Sequence, residues 1–315
     1  MNNRIFTEIL TKYGFQYMHD DEHSKLSIPV GIGDILFKLA FVQQQLKHKP
    51  LYINLDIFIT GRIEMNKQSL VWFDDVLNAF IFRIKLLSDI CENNENIKKE
   101  DIIFFTTKYG IGLFEKMETN FNYSILKNFK LYINPNFFNC SFDNKVINFI
   151  KDPFIIIHTK LRLNNNYNYQ LIKYNLNNFF KHLYIKNFNI IIMGEKNFEN
   201  NTPEKKCHNI TTIYNEISQL KNLNNDRILD LSVEELYNSL DYDRYKHDIC
   251  LINKASYNIC FGQGGQLCSS LLFGKCMFFD PIDETFFFQN MNLYNSGHRY
   301  FKRLYKFCEY LVEIL

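Results

Sequence analysis

Two short stretches place glycine beside polar side chains at the exit of an apolar run. One is Gly31-Ile32-Gly33-Asp34, within PVGIGDILFKLAFV; the other is Gly262-Gln263-Gly264-Gly265-Gln266, within YNICFGQGGQLCSSLLFG. The apolar spacing after Asp34 predicts a helix, with Asp34 in its first turn, where the dipole stabilises a carboxylate. A carboxylate facing a cleft can take the proton of a hydroxyl as that oxygen becomes a nucleophile. The plainer alternative is ordinary N-terminal charge. In the second stretch the glycines let backbone approach a ligand, and the helix that follows offers free N–H groups suited to a diphosphate. The alternative there is a tight strand-to-helix turn. Lys160 and Arg162 alternate on an extended segment and could reach the same anion, or be solvated surface cations. His158, ending an apolar strand, reads as a structural histidine before a catalyst. Gly194-Glu195-Lys196 closes a further apolar strand.

These residues need elements to hold them. Residues 1 to 25 read as a polar arm with one short helix. KLSIPVGIGD reads as strand and turn, and ILFKLAFVQQQLKHK as a helix with Ile35, Leu36, Leu39, Val42 and Leu46 at helical spacing. A strand from Pro50, a long helix from Leu70 to Cys91 and a strand at 101 to 108 complete a βαβ rhythm. Near 144 to 152 the pattern restarts. PFIIIHTKLR is a strand, 170 to 185 a helix, FNIIIMGEK a strand and ITTIYNE a third strand. Ser232 stands three residues before Glu235, the capping-box spacing, and YNICFGQGGQLCSSLLFGKCMFFDP reads strand, turn, helix, strand. A last amphipathic helix spans about 297 to 315. Continuous apolar strands alternating with helices predict an α/β chain with parallel sheets buried on both faces. We divide it into two Rossmann-like, doubly wound domains facing a cleft, 1–148 and 149–315, with the last helix free to pack back on the first. Ligands then belong at the carboxyl ends of the strands, where these polar residues fall.

Composition narrows the classes. The 315 residues include 36 Lys+Arg against 34 Asp+Glu, too balanced for a general nucleic-acid binder. Asn, Ile, Lys, Phe and Tyr are favoured, the bias of an AT-rich genome such as that of a microbe or a large DNA virus. No signal-peptide core opens the chain and no 18 uncharged apolar residues run together, so neither export nor a transmembrane segment is expected; peripheral membrane contact is left open. The eight cysteines include no CxxC pair, which suggests reduced, mostly buried thiols in a cytoplasmic setting (host cytoplasm if viral) and no zinc site. HDDEH at 19 to 23 reads as a solvated loop, and the DYD at 241 to 243 as chance. The absence of GxGxxG, GxxxxGK[ST] and GxSxG lowers the rank of dinucleotide oxidoreductases, P-loop NTPases and α/β-hydrolases.

In this order the pieces resemble a GT-B glycosyltransferase, most nearly the heptosyltransferase-like branch that uses nucleotide-diphosphate sugars. The resemblance rests on Gly31-Ile32-Gly33-Asp34 before an apolar helix, on FIIIHTKLR, on IIIMGEK, on Asp230-Leu231-Ser232, and on GQGGQLCSSLLFGKCMFFDP in place of the family's donor segment. It implies transfer of a hexosyl or heptosyl group to a glycan or other hydroxyl acceptor, inverting and independent of metal or other cofactor. Asp34 would be the base, with Gly31 and Gly33 beside it. His158, Lys160, Arg162, Gly194, Glu195, Lys196, Gly262, Gln263, Gly264, Gly265 and Gln266 would form the donor side. Two departures stand out: Gln263-Gly264 replaces an Asp-Ser/Thr pair, and Gln266-Leu267-Cys268 lacks the usual histidine. Nucleotide-sugar epimerases, polysaccharide pyruvyl transferases and a non-catalytic binding protein share the architecture and remain as alternatives.

Overall fold

The computed structural model describes residues 4–19, 32–43, 51–55, 72–106, 130–162, 169–185, 189–197, 210–218, 225–234, 241–262, 265–279, 297–301 and 304–314. The chain forms two compact units. Unit 1 comprises Met1–Leu126, Leu131–Asn139 and Leu240–Tyr245; unit 2 comprises Lys127–Lys130, Cys140–Ser239 and Lys246–Leu315. Both are α/β with parallel sheets.

In unit 1 the strands β1 (Gln16–His19), β2 (Leu51–Asn54) and β3 (Ile102–Thr106) form a parallel sheet in the order β1-β3-β2. The helices are α1 (Arg4–Lys12), α2 (Ile32–Val42) and α3 (Trp72–Glu92). Phe6 of α1 and Phe80 of α3 meet edge to face at 5.0 Å, and Phe104 of β3 joins them through Phe80 at 6.3 Å and Phe15 at 5.6 Å. The buried Gln43 amide oxygen accepts from Asn94 Nδ2 at 3.2 Å and from Tyr132 N at 2.9 Å, so the polar group is paired where water is excluded. The short helix expected in the N-terminal arm is α1. The arm also contains β1, which we did not expect: the tetrapeptide QYMH is half-exposed and its apolar signal is weak, and pairing with β3 supplies what propensity does not. The strand predicted just before Gly31 lies outside the described residues.

Unit 2 contains α4 (Asn144–Phe149), β4 (Phe154–Arg162), α5 (Tyr169–Ile185), β5 (Asn189–Met193), β6 (Ile210–Thr212), α6 (Tyr214–Ser218) and β7 (Ile228–Asp230). These are followed by α7 (Tyr242–Lys254), which belongs to unit 1 as far as Tyr245 and to unit 2 from Lys246, and by β8 (Tyr257–Phe261), α8 (Gly265–Phe273), β9 (Cys276–Phe279), β10 (Arg299–Phe301) and α9 (Leu304–Ile314). The sheet order is β10-β9-β8-β4-β5-β7 with every neighbour parallel. If the six parallel strands are counted by their place in the chain, the sheet reads 3-2-1-4-5-6 from the β7 edge, the doubly wound Rossmann-like order. Ile155, Ile156 and Ile157 of central β4 are each 0% exposed, which is why the run is apolar on both faces. On one face α5, α6 and α9 cover Ile155, Ile157, Ile190, Ile192 and Phe261.

Four expectations are corrected here. ITTIYNE is not a third parallel strand. Its first three residues form β6, antiparallel to the end of β4, and Tyr214–Ser218 is helical; the third parallel strand is β7. Period-2 alternation cannot tell parallel from antiparallel, and a run this short cannot be told from a helix start. The last helix does not begin near 297: Arg299–Phe301 forms β10, parallel to β9, and α9 starts at Leu304. The DYD segment, read as a chance match, opens α7, where Asp241 Oδ1 accepts from Asp243 N at 2.9 Å as a helix cap. Finally, not all cysteines are free, because Cys140 and Cys250 form a disulfide within unit 2. Their separation of 110 residues leaves no local spacing to reveal the pair. Cys91, Cys260, Cys268, Cys276 and Cys308 are buried and outside any disulfide. No helix among the described residues is long and apolar enough to cross a membrane.

Phe307 of α9 is 0% exposed and packs among Phe261 at 5.6 Å, Phe279 at 6.5 Å and Phe301 at 5.3 Å. Phe307→Ala is expected to destabilise unit 2 by about 3–5 kcal/mol, read as a shift of its denaturant midpoint.

Candidate functional site

In a doubly wound sheet the chain turns in opposite directions on either side of the first strand. The helices after β4 and β8 therefore leave on opposite faces, and a crevice opens at the carboxyl ends of those two strands. The sequence places His158, Thr159, Lys160, Gly262 and the opening of α8 at that edge of unit 2, with Gly194 and Glu195 following the neighbouring β5.

The end of β4 is bent to fit this position. Its register against β8 shifts between Ile157 and Leu161, a bulge of the kind that redirects side chains. Past the bulge, Lys160 pairs with Thr212 and Arg162 with Ile210 on β6. Thr159, 0% exposed, donates its hydroxyl to Glu195 O at 2.8 Å, and Thr212 donates to the same carbonyl at 3.0 Å. The exits of β4, β5 and β6 are thereby joined at one backbone oxygen.

Gly194 leaves β5 at φ 116°, and a Cβ there would stand 2.3 Å from Thr159 Oγ1 and 2.7 Å from Gln266 Nε2. Gln266, the second residue of α8, thus reaches across the end of β4 to the exit of β5. Its Oε1 is enclosed and accepts no hydrogen bond from any described residue. An enclosed acceptor left without a donor is uncommon and calls for a ligand or an ordered water. The first-turn N–H groups of α8 have no partners within the helix and face outward at its start. Gly262, at φ 104°, directs the chain into this turn and donates its N–H to Phe279 O at 2.7 Å.

Beneath α8 lies a second polar group. His158, 2% exposed, has Nε2 3.0 Å from Ser270 Oγ on α8; Cys260 Sγ lies 3.6 Å from the same hydroxyl and 3.8 Å from Cys276 Sγ. Burial opposes charge on both His158 and Cys260. Nevertheless the Cys276 hydrogen bond and the neighbouring imidazole bring the Cys260 thiol down to about 5. Burial is likewise outweighed at His158, whose pKa is raised chiefly by Cys260. This pair ties α8 to the sheet and is enclosed, so His158 supports the crevice from below and does not line it.

The structure therefore unites His158, Gly194, Gly262, Gly265 and Gln266 around the ends of β4, β5 and β8, with Lys160 on the extension of β4. Glu195 is buried at 3% exposure and contributes its carbonyl to the joint. Lys196 is committed elsewhere: its Nζ lies 3.0 Å from Glu234 Oε1 and 5.8 Å from the centre of the Tyr214 ring. That pairing raises the Lys196 pKa, through the hydrogen bond to Glu234 first. In unit 1, Gly33 and Asp34 are the second and third residues of α2. Gly31, Gln263, Gly264 and Glu235 lie outside the described residues, as do the side chains of Asp34 and Arg162. Ser232, proposed as a helix cap, donates both its N–H and its hydroxyl to Asp230 Oδ1.

No protein-family model, curated protein or solved structure matches the chain. The site therefore rests on its own geometry. Sequence reasoning missed Thr159, Thr212 and Ser270. Thr159 had a signal, as a polar residue between two candidates at a strand end; Thr212 and Ser270 had none, because only the folded sheet brings them near. No group of three or more His, Cys, Asp or Glu among the described residues could hold a metal ion.

Gly194→Ala is expected to destabilise unit 2 by about 1–3 kcal/mol, through the left-handed φ and the clash with Thr159. Denaturant unfolding of the variant against Gly33→Ala, a helical position, separates this from a generic loss of glycine.

Proposed function

We propose that the chain is a glycosyltransferase of GT-B architecture. It would move a sugar from a nucleotide-diphosphate donor to a hydroxyl acceptor, inverting the anomeric carbon and without a metal. Unit 2 is the donor side and unit 1 the acceptor side. The observation that supports this reading is the strand-order switch point of unit 2, where a glycine turn, the start of α8 and an enclosed Gln266 amide oxygen that accepts from no described residue stand together. First-turn N–H groups and Lys160 suit the diphosphate by charge; the Gln266 oxygen suits a donor hydroxyl or N–H of the nucleotide sugar.

In the reaction the acceptor oxygen bonds to the anomeric carbon as the bond from that carbon to the diphosphate oxygen breaks. The electron pair leaves with the diphosphate. α8 and Lys160 stabilise that charge as it develops, which is where electrostatic preorganisation contributes most. The hydroxyl proton passes to a base on unit 1, and Asp34 is the carboxylate the glycine turn nominates. Binding of nucleotide sugar without turnover is the second reading, favoured by Gln263-Gly264 standing where the resemblance calls for Asp-Ser/Thr.

A thermal-shift panel of UDP, GDP, ADP and CMP tests the pocket. One nucleoside diphosphate is expected to raise the melting temperature, and Gln266→Ala to reduce that shift severalfold. Donor hydrolysis is expected to fall at least tenfold in Asp34→Asn while the nucleotide shift stays. No shift with any nucleotide would overturn the reading; a shift without turnover across donors would favour the binding protein.

A further inference from the structure

β4 and β8, the strands that flank the switch point of unit 2, are neighbours in the sheet but distant in the chain. Ser256 N donates to Phe154 O at 2.9 Å where the two strands enter, and pairing continues with Ile155 against Tyr257. The segments that lead into these strands are joined by the Cys140–Cys250 disulfide. From Cys140 the chain passes into β4 through α4, whose first turn is capped by Asp143 Oδ1 accepting from Val146 N at 2.8 Å. Cys250 lies on α7, which leads into β8. The bond spans a sequence separation of 110 residues and so closes a loop that holds β4 and most of its connection to β8. Ordering a loop costs entropy, and a cross-link at its base removes part of that cost.

The bond is not part of the sheet. Neither cysteine lies on a strand, and neither belongs to the apolar layer that α5, α6 and α9 form on one face. The segment after Cys140 has contacts of its own on α7: the Phe142 ring centre lies 5.5 Å from that of His247 and 5.3 Å from Lys254 Nζ. Those contacts do not depend on the bond. The two sulfurs also differ in access. Cys250 is 0% exposed, whereas Cys140 is partly exposed in an irregular segment. Thiol–disulfide exchange needs a thiolate to reach one of the sulfurs, and access selects which. Here that sulfur is Cys140 Sγ.

We propose that Cys140 is a thiol-exchange site, and that opening its bond to Cys250 loosens the pairing of β4 with β8 and weakens binding at the crevice they flank. The reductant is a small thiol of the glutathione class. Its thiolate bonds to Cys140 Sγ as the bond between the two cysteine sulfurs breaks, and the electron pair leaves on Cys250 Sγ, which takes a proton from solvent. A second thiolate then attacks the small thiol's sulfur in the mixed disulfide. The electron pair leaves on Cys140 Sγ, which is protonated in turn. Two small thiols are oxidised to their disulfide and the two cysteines are reduced. The effect on a nucleoside diphosphate rests on the transferase reading; the exchange and its effect on the strands do not.

Three measurements on the full chain test this. In the first, the folded chain is treated with reduced glutathione, quenched in acid, unfolded, alkylated and mapped by peptide mass spectrometry. Only Cys140 and Cys250 are expected to gain label over the untreated chain, and Cys250→Ser is expected to carry glutathione on Cys140 when given the oxidised form. A bond that glutathione leaves intact overturns the proposal, as does an adduct-free Cys140 in folded Cys250→Ser. The second is amide hydrogen exchange. The amides of β4 and β8 are expected to exchange at least tenfold faster in the reduced chain, with circular dichroism unchanged. Equal protection overturns the proposal, and so does a reduced chain that unfolds, because the bond is then a staple of the fold. The third repeats the UDP and GDP melting shifts on both forms, with a severalfold smaller shift expected after reduction. Equal shifts overturn the link to the crevice. If neither form binds a nucleotide, the transferase reading fails, and the first two measurements decide the exchange and its effect on the strands.

Discussion

The position of β4 governs unit 2. It is the first strand laid down in that sheet and lies at its centre, with β5 on one side and β8 on the other. A strand paired on both edges and covered on both faces has no solvated side, so Ile155, Ile156 and Ile157 are fully buried and every backbone group must find a partner in the sheet. Because the chain builds outward from β4 first in one direction and then in the other, α5 and α8 leave on opposite faces. The crevice between their connections is a consequence of chain direction, with no side chain needed to open it.

What that edge can hold depends on smaller contacts. The bulge in β4 turns its carboxyl end toward β6, and the Glu195 carbonyl gathers the Thr159 and Thr212 hydroxyls, so three strand exits move as one. Below α8, His158, Ser270, Cys260 and Cys276 form an enclosed polar group in an otherwise apolar layer. Such a group costs free energy to bury unless each member is paired, and in return it permits few alternative placements of the helix. The Lys196–Glu234 pair is a weaker contribution. With side chains 28% and 70% exposed it is screened by water, and pairs of that kind are worth roughly 0–1 kcal/mol.

Much of this was legible along the chain. The strands over 51–54, 102–106, 154–162, 189–193, 257–261 and 276–279 stand where apolar runs predict them, because a strand buried on both faces leaves a local mark in composition. The helices α2, α3, α5, α8 and α9 show their 3.6-residue spacing in the same way. Elements that depend on a partner were not legible. β1 is half-exposed and held by β3, β6 runs against its expected direction, and α7 begins at an aspartate cap in a mostly polar segment. The Cys140–Cys250 link joins residues that nothing local connects.

The site divides along the same line. The sequence by itself determined that glycine and polar residues end the strands, since apolar runs, turn glycines and helix starts are local properties of neighbouring residues. Tertiary structure alone decided which of those strand ends meet. It brought Gln266 against Gly194 and Thr159, assigned Lys196 to Glu234, and buried His158 beneath a helix. The physical reason is that strand order and face are settled by packing and backbone pairing between segments far apart in the chain, and no window of sequence contains both partners.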